Sequence, residues 1–563
     1  MNQRHLFTLI AFFGAVGAIH SGGCGVTGDP ANISGKTESP APSSAAPTAS
    51  AATSFADVTK AAGITYRWSV AGNRPLNILQ TIGNGAGFFD HDGDGNLDLL
   101  LVGPKTALYR GDGKGIFTDV SAEVGLNSLK GNFLGCAIGD YDNDGYSDIY
   151  LSAYRGGALL RNRQGKGFED VSKRAGIPPQ AWGTSTAFAD FNGDGLLDLY
   201  VGNYVDFGPK TEPQLCDNNG IKSACGPRFY KPIKSKLYLG GPSGVFRDVT
   251  NRWDAHLVEG KNLGVSVADF DGNGKVSLAI ANDEMPGDLL HNRGEKFENI
   301  GKTSGTAYDD NGNVHGGMGI DWGDYNNDGK LDLVVATFQN ETKNIYHNDG
   351  ENLFTDKSAM LGMAPATPLV TFGIKWFDYD NDGYLDLILA SGHVQDNISE
   401  IDKTASYKQP TMLFRNNGAE RFEDVTSRIE ESGRRPIVGR GLAVGDYDND
   451  GKVDALVVDS EGTPILLHNE TPDAGNAITL SLVGKKSNRD GYGARIVASV
   501  DGKQIVRRCG SDGSYLSSSD KRVHIGLGTA PSAKTVTVYW PSGKKSELKD
   551  VAPGKTVTVR EPD

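Results

Sequence analysis

A six-residue loop of aspartate, asparagine and glycine recurs seven times in this chain of 563 residues, and any fold must place all seven equivalently. The copies are Asp90-His-Asp92-Gly-Asp94-Gly95, Asp140-Tyr-Asp142-Asn-Asp144-Gly145, Asp190-Phe-Asn192-Gly-Asp194-Gly195, Asp269-Phe-Asp271-Gly-Asn273-Gly274, Asp324-Tyr-Asn326-Asn-Asp328-Gly329, Asp378-Tyr-Asp380-Asn-Asp382-Gly383 and Asp446-Tyr-Asp448-Asn-Asp450-Gly451. Their first aspartates stand 50, 50, 79, 55, 54 and 68 residues apart. A short run of small residues precedes each loop, as at 133–138 or 441–444. After it apolar residues alternate, as in Leu97, Leu99 and Leu101, or Leu385, Leu387 and Leu389. A period of two is a strand with a buried face. Each unit closes with a hairpin of the form Leu-Tyr-x-Asn-x-Gly and then Phe-x-Asp-Val, as at Leu108-Tyr109 and Phe117-Thr-Asp-Val120.

Four strands repeated every 50 to 60 residues or so is the pattern of a β-propeller blade. The seventh repeat has its strand at 465–469 but no Phe-x-Asp-Val behind it, while an unattached Phe55-Ala-Asp-Val58 stands at the start. Pairing the two predicts a closed ring of seven blades over residues 55–470, with no sheet edge left open at the join. Beyond it, residues 471–563 hold short β runs separated by Gly, Asp, Pro and Ser turns, without helical periodicity. The fold class expected is all-β: a seven-bladed β-propeller followed by a small β-sandwich-like domain. The 75 glycines and 24 prolines agree with a chain that turns often and builds no long helix.

Oxygen ligands at loop positions 1, 3 and 5, a glycine at 6 and a backbone carbonyl at 7 suit a hard divalent cation, and calcium above all. Position 12, where an EF-hand carries glutamate, is aliphatic in every copy (Leu101, Leu151, Val201, Ile280, Val335, Leu389, Val457). Position 9 then has to complete the cage; it is Asp98, Asp148, Asp198, Asp332, Asp386 and Asp454 in six copies and Ser277 in the fourth. The expected ligands are therefore the side chains at positions 1, 3, 5 and 9 together with the carbonyls of Asn96, Tyr146, Leu196, Lys275, Lys330, Tyr384 and Lys452. Asp-Gly loops are also ordinary turns, but seven in register favour calcium. The fourth site should be weakest, since only Asp269 and Asp271 are charged. Basic residues number 56 and acidic ones 70, a net charge of −14, which seven Ca²⁺ would cancel. That acidity argues against nucleic acid or an anionic membrane as main partner.

Arg4 and His5 precede an apolar run at 6–19, the length of a signal-peptide core and too short to span a bilayer. Ser21-Gly22-Gly23-Cys24 resembles a lipoprotein processing box, though Ser21 stands where leucine is usual, so acylation of Cys24 and simple cleavage both remain open. Residues 1–24 read as a signal peptide and 25–54, rich in Ser, Ala and Pro, as a flexible tether. The protein is expected to be exported: cell surface, outer membrane or periplasm by a lipid anchor, or secreted. A membrane enters only through that anchor.

On these residues the repeats resemble the FG-GAP/VCBS repeats of integrin-α-type propellers. The tail strengthens the likeness: Ser487-Asn488-Arg489-Asp490-Gly-Tyr-Gly493-Ala494-Arg495, Gly513-Ser-Tyr515-Leu516-Ser517, His524-Ile-Gly526-Leu527-Gly528 and Trp540-Pro541-Ser542-Gly543 are similar to the ASPIC/UnbV domain. That domain follows such a propeller in bacterial proteins and in the animal cartilage acidic protein family. Cys225-Gly-Pro-Arg228 is also in pattern; Ser277 and Ile525 depart from it.

Asn488-Arg489-Asp490 and Ser517-Ser518-Ser519 are expected either to bind a ligand or to brace the sandwich as turns. Arg110-Gly111-Asp112 reads as hairpin-turn chemistry rather than an adhesion tripeptide. Cys216 and Cys225, nine apart in an insertion, read as a disulfide, and Cys136 as a buried thiol. His315 and His393, with Asp321 or Asp396, are the candidates for acid/base work. No nucleophile elbow, zinc-protease helix, phosphate loop or dinucleotide fingerprint occurs. The reading is a non-enzymatic calcium-binding propeller acting as a surface binding or adhesion module for a protein or glycan. The alternative is a polysaccharide lyase or hydrolase on the propeller's central face.

Overall fold

The structure, a computed structural model, describes residues 53–418 and 421–563. The expected signal segment, Cys24 and nearly all of the expected tether lie outside those residues. The inner strands of the seven blades are Ala86–Phe89, Asn132–Gly139, Gln180–Ala189, Asn262–Ala268, Ile320–Gly323, Thr371–Phe377 and Gly439–Gly445, each ending one residue before a loop's first aspartate. The second strands, Asp98–Leu101, Asp148–Gly156, Asp198–Asn203, Ser277–Asn282, Asp332–Val335, Asp386–Ser391 and Asp454–Asp459, each begin at loop position 9. Every aspartate loop is thus the turn from inner to second strand, so all seven share one end of the ring.

Two outer strands complete each blade, and all pairings within a blade are antiparallel. The alternation along the second strands feeds two cores at once. Leu99 and Leu101 join a cluster with Leu456 and Leu466 of the seventh blade, while Leu100 faces the second blade with Ile138 and Leu151. Burying both faces explains why these strands read as nearly continuous apolar runs, each full burial being worth about 1.5–3 kcal/mol. Blades 2 and 3 are further joined into one sheet, because their long strands also pair at Gln180↔Gly156 and Trp182↔Tyr154.

The ring closes through its two ends. Phe55–Asp57 pairs antiparallel with Ile465–Asn469, in the register Phe55↔Asn469, Ala56↔His468 and Asp57↔Leu467. Ser54, which composition puts in the tether, is buried and belongs with this strand: its N–H donates to the Arg428 carbonyl and its carbonyl accepts from Glu470, both at 2.7 Å.

The C-terminal domain packs a three-stranded sheet (Val523–Gly528, Asn476–Val483, Val557–Arg560) on a four-stranded one (Lys503–Arg508, Arg495–Val500, Ala533–Tyr539, Lys545–Val551). Leu480, Ile525 and Val559 meet Ile496, Val536 and Val538 between them. Ile525, outside the family pattern, is fully buried there.

Residues 509–522, between two strands of this domain, run into the space enclosed by the propeller and bond to it throughout. Ser514 exchanges backbone hydrogen bonds with Ile320 at 2.7 and 3.1 Å, and Leu516 accepts from Cys136 N–H at 3.1 Å. Ser517 and Ser519 hydroxyls accept from Ala86 and Val444 at 3.2 Å, Leu516 N–H donates to Ser185, Asp512 accepts from Val267, and Tyr515 packs edge-on against Phe372. Those partners lie on all seven inner strands. Asn488-Arg489-Asp490 docks likewise: Asp490 accepts from Asp140 N–H at 2.7 Å and Arg489 N–H donates to Asn143 at 3.0 Å. Neither motif is a free binding loop or merely a brace of the sandwich; both hold the domain against the propeller.

At the opposite end of the ring, an insertion after the second strand of blade 3 forms the small hairpin Cys216–Asn218 and Ile221–Ser223, tied by a Cys216–Cys225 disulfide. It reaches blade 6, where Gln395 donates to Ser223 and Ala224 and Asn397 to the Lys222 carbonyl.

Candidate metal centre

Each loop is first a network of backbone hydrogen bonds. The position 1 carboxylate accepts the N–H of the glycine at position 6 in all seven copies, at 2.7–3.0 Å. That glycine has φ between 81° and 100°, a conformation costly for any residue with a Cβ. Position 5 accepts from the N–H of position 7 at 2.8–3.1 Å, so Asn96, Tyr146, Leu196, Lys275, Lys330, Tyr384 and Lys452 are each tied into the loop by their N–H groups. The six position 9 aspartates accept from position 2 and from the third strand; Asp386, for example, takes Tyr379 N–H at 3.1 Å and Asn416 N–H at 2.7 Å. In the fourth copy Ser277 takes only Asn292 N–H, at 3.1 Å.

These bonds leave oxygens over. Asp142, Asp269, Asp378, Asp380 and Asp448 each keep one buried carboxylate oxygen without a partner. Such an atom is expensive to bury unless something binds it. Carboxylates converge as well: Asp90, Asp92 and Asp94; Asp140, Asp142 and Asp148; and Asp378, Asp380 and Asp386 each place ligand atoms within 4.8 Å of one another, as do Asp448 and Asp454 with His468. Burial, with neighbouring carboxylates adding, pushes Asp378 up to about 8 and Asp140 to about 7. Burial likewise lifts Asp324 and Asp446 to about 7 and Asp190 and Asp269 to about 6. Carboxylate-rich clusters whose position 1 aspartates are disfavoured as anions until a positive charge arrives fit a hard divalent cation.

Sequence reasoning missed a basic residue on the third strand of each of six blades, one place before the closing asparagine or glycine. Arg161 Nε lies 2.5 Å from Asp142 and Arg415 Nε 2.6 Å from Asp380, while His291 Nε2 is 2.8 Å from Asp271 and His468 Nδ1 3.1 Å from Asp454. In blades 2 and 6 the arginine takes Oδ2 of position 3 and leaves Oδ1 free, which orients a ligand without consuming it. Also missed were asparagines that stitch blades together. Those at position 4, with φ of 56–59°, donate to the position 6 carbonyl of the next loop: Asn143 to Gly195, Asn327 to Gly383 and Asn381 to Gly451, at 2.9–3.1 Å. Asn162, Asn292, Asn348, Asn416 and Asn469 donate backwards to position 2 of the preceding blade at 2.8–3.2 Å. The signal was present, since position 4 is Asn or Gly in all copies.

Neither expected histidine–aspartate pair forms among the described residues. His393 bonds to Gln339 and Gln395, Asp396 to Arg74 and the Leu76 N–H, and Asp321 to Lys375 and Arg508. Asp112 accepts from Lys114 and Ile116 N–H, so the Arg-Gly-Asp sequence is a hairpin turn. Cys136 is buried beside the C-terminal segment, and burial raises its thiol to about 12.

A family model for the FG-GAP-like repeat matches residues 90–151, 140–201, 269–335 and 324–389, and one for ASPIC and UnbV matches 484–563. The chain is an FG-GAP-repeat protein with an ASPIC/UnbV domain. The matched segments hold the first six loops of this FG-GAP propeller; the seventh, outside them, makes the same position 1 and position 5 bonds. Cartilage acidic protein 1 of Mus musculus is 24% identical over 489 residues, 81% of this chain and 69% of that protein. The Homo sapiens protein of that name is 24% identical over 516 residues, 85% of this chain and 71% of that protein. Among solved structures, an Agrocybe aegerita lectin that recognises non-reducing terminal N-acetylglucosamine aligns with TM-score 0.39 and 15% identity over 67% of this chain and 86% of its own. YCF48 of Cyanidioschyzon merolae aligns at 0.40 and 9%, over 72% and 99%.

Proposed function

We propose that this protein is an exported, calcium-binding FG-GAP propeller that serves as a surface binding module for a protein or glycan. The observation that carries the metal reading is the set of buried carboxylate oxygens left without partners at positions 1 and 3 of the second, fourth, sixth and seventh loops. Positions 1, 3, 5 and 9 would hold up to seven ions, the fourth site being weakest because Asp271 already faces His291 and Ser277 brings no charge. The ion supplies positive charge that ties two strands of a blade through one loop. Relatives named for cartilage fit an extracellular setting. Whether Cys24 anchors the chain is read from membrane fractionation of Cys24→Ser. A glycan and protein array probed with and without chelator tests the whole reading: binding that calcium supports and chelator abolishes is expected, and an array silent in both conditions counts against it.

A lyase or hydrolase has one observation in its favour. Asp283 and Glu341 belong to no aspartate loop and line one cavity together, and burial pushes Asp283 up to about 7 and Glu341 above its ordinary value. Because residues 509–522 fill the loop end of the channel, such an enzyme would work only from the other end. Release of new chain ends from a polysaccharide, lost in Asp283→Asn, would establish it.

A further inference from the structure

At the end of the ring away from the aspartate loops, the channel finishes in a cavity of about 240 Å³. Two segments foreign to the blades enclose it. One is the short helix Ile78–Thr81 with Ile82. The C-terminal segment backs this wall from outside the cavity, where the Tyr515 hydroxyl donates to the Ile82 carbonyl at 2.8 Å and the ring packs edge-on against Phe372 at 4.9 Å. The other is the roof, the blade 3 insertion at Cys225–Arg228, clamped by the disulfide and by Gln395. Apolar walls come from Leu263, Met318, Phe338 and Val394.

Into this space turn three carboxylates, Asp283, Glu284 and Glu341, against one guanidinium, Arg228. Asp283 is aimed by Tyr204, whose hydroxyl donates to Oδ2 at 2.5 Å. Glu341 Oε2 accepts the N–H groups of Gly316 and Phe338, each at 3.0 Å. Both acids lie against Gly316, since a Cβ built there would stand 3.2 Å from Asp283 Oδ1. Asp283 Oδ1 and Glu341 Oε1 have no hydrogen-bond partner among the described residues. The nearby basic groups are otherwise placed: the Lys343 ammonium is taken by the carbonyls of Thr337, Phe338, Glu341 and Leu369, Lys261 lies outside the lining, His315 lines a neighbouring cavity rather than this one, and Arg228 stacks over Phe229 at the exposed rim. Two carboxylates side by side in a largely apolar chamber repel one another, and a cation between them relieves that repulsion.

We propose that this chamber binds a ligand presenting a protonated amine on an apolar stem, the ammonium between Asp283 and Glu341 and the stem against Phe338 and Met318. The proposal rests on the reading of the protein as a binding module and names its site and ligand chemistry. Calorimetric titration of the full chain with benzylamine and with benzyl alcohol, in calcium buffer, tests it. Saturable benzylamine binding is expected, with the alcohol at least about tenfold weaker, the effect of losing one charge-assisted hydrogen bond. The double variant Asp283→Asn, Glu341→Gln should weaken benzylamine by a similar factor. Equal affinity for both probes, no saturable binding of either, or unchanged binding by the double variant overturns it. If that variant does not fold, Val394→Trp, which fills the chamber from a half-buried loop position, must abolish binding, and retention overturns the proposal. A protein whose melting ignores calcium yet takes benzylamine sinks the calcium reading alone; one stabilised by calcium that takes no amine sinks this proposal alone.

Discussion

Asp380 divides its two oxygens between an arginine and an empty direction, and that division says how the loops work at the scale of single residues. The guanidinium fixes the carboxylate plane, so the free oxygen is aimed before any ion arrives. Loss of an aimed ligand should therefore be felt more than loss of a neutral one. Asp382→Ala or Asp450→Ala is expected to lower bound calcium by about one ion per chain, and Asn273→Ala least; equal losses in equilibrium dialysis would contradict the ligand assignment. His393 gives a second prediction. Burial, with Arg440 nearby, holds its imidazole down at about 4, and its Nδ1 accepts the Gln395 N–H, which only the neutral ring can do. The unfolded chain, with an ordinary pKa near 6.5, binds more protons between those values. Stability should then fall as pH drops from about 6.5 to 4, by up to about 3 kcal/mol from this group. His393→Asn keeps an acceptor but cannot titrate, so denaturant unfolding at pH 4.5 and 7 should show a shallower loss; an unchanged slope would remove His393 as the cause.

Strands were the most legible elements, because each aspartate loop marks where one stops and the next begins. Leu97, Leu99 and Leu101 announce their strand by alternation, and the stray Phe55-Ala-Asp-Val58 announces its partner by what the seventh repeat lacks. Lys545–Val551 escaped notice because it is an edge strand whose Lys545, Glu547 and Lys549 face solvent and imitate a loop. The docking of the segment at 509–522 into the propeller escaped for a different reason: its partners are mostly main-chain groups scattered from Ala86 to Val444, and a stretch rich in Gly and Ser carries no trace of them. The aspartate loops were legible as acidic turns, but not the basic side chains that pair with them, since those stand 14 to 35 residues later on another strand. Ring closure supplies the prediction at this scale. Deleting 25–52 should leave the melting temperature unchanged, whereas a deletion through Val58 strips the edge of the seventh blade and should lower it sharply or cause aggregation. A cysteine pair at Ala56 and His468, which face each other in the register, should cross-link on oxidation.

Across the whole molecule the loop end of the propeller and the C-terminal domain share one interface. Arg507 donates to the Gly383 carbonyl, Arg522 to Asn449 and the Asp446 carbonyl, and His524 pairs with Asn381, so two side chains and two carbonyls of two loops meet three side chains of the domain. Calcium bound only by the folded chain should raise the thermal midpoint by mass action, each site filled at a hundredfold excess over its Kd adding about 2.7 kcal/mol. An identical midpoint in chelator and in millimolar calcium would discard the metal reading. The pairing of Phe55 with Asn469 and the filling of the channel by residues 509–522 also fix an order of events in synthesis. The first strand to leave the ribosome has no neighbour until nearly all blades have followed it, and the hub of the wheel is delivered last. Until then the ring cannot close, and a chain bound for export would still be open enough for a translocation pore to thread.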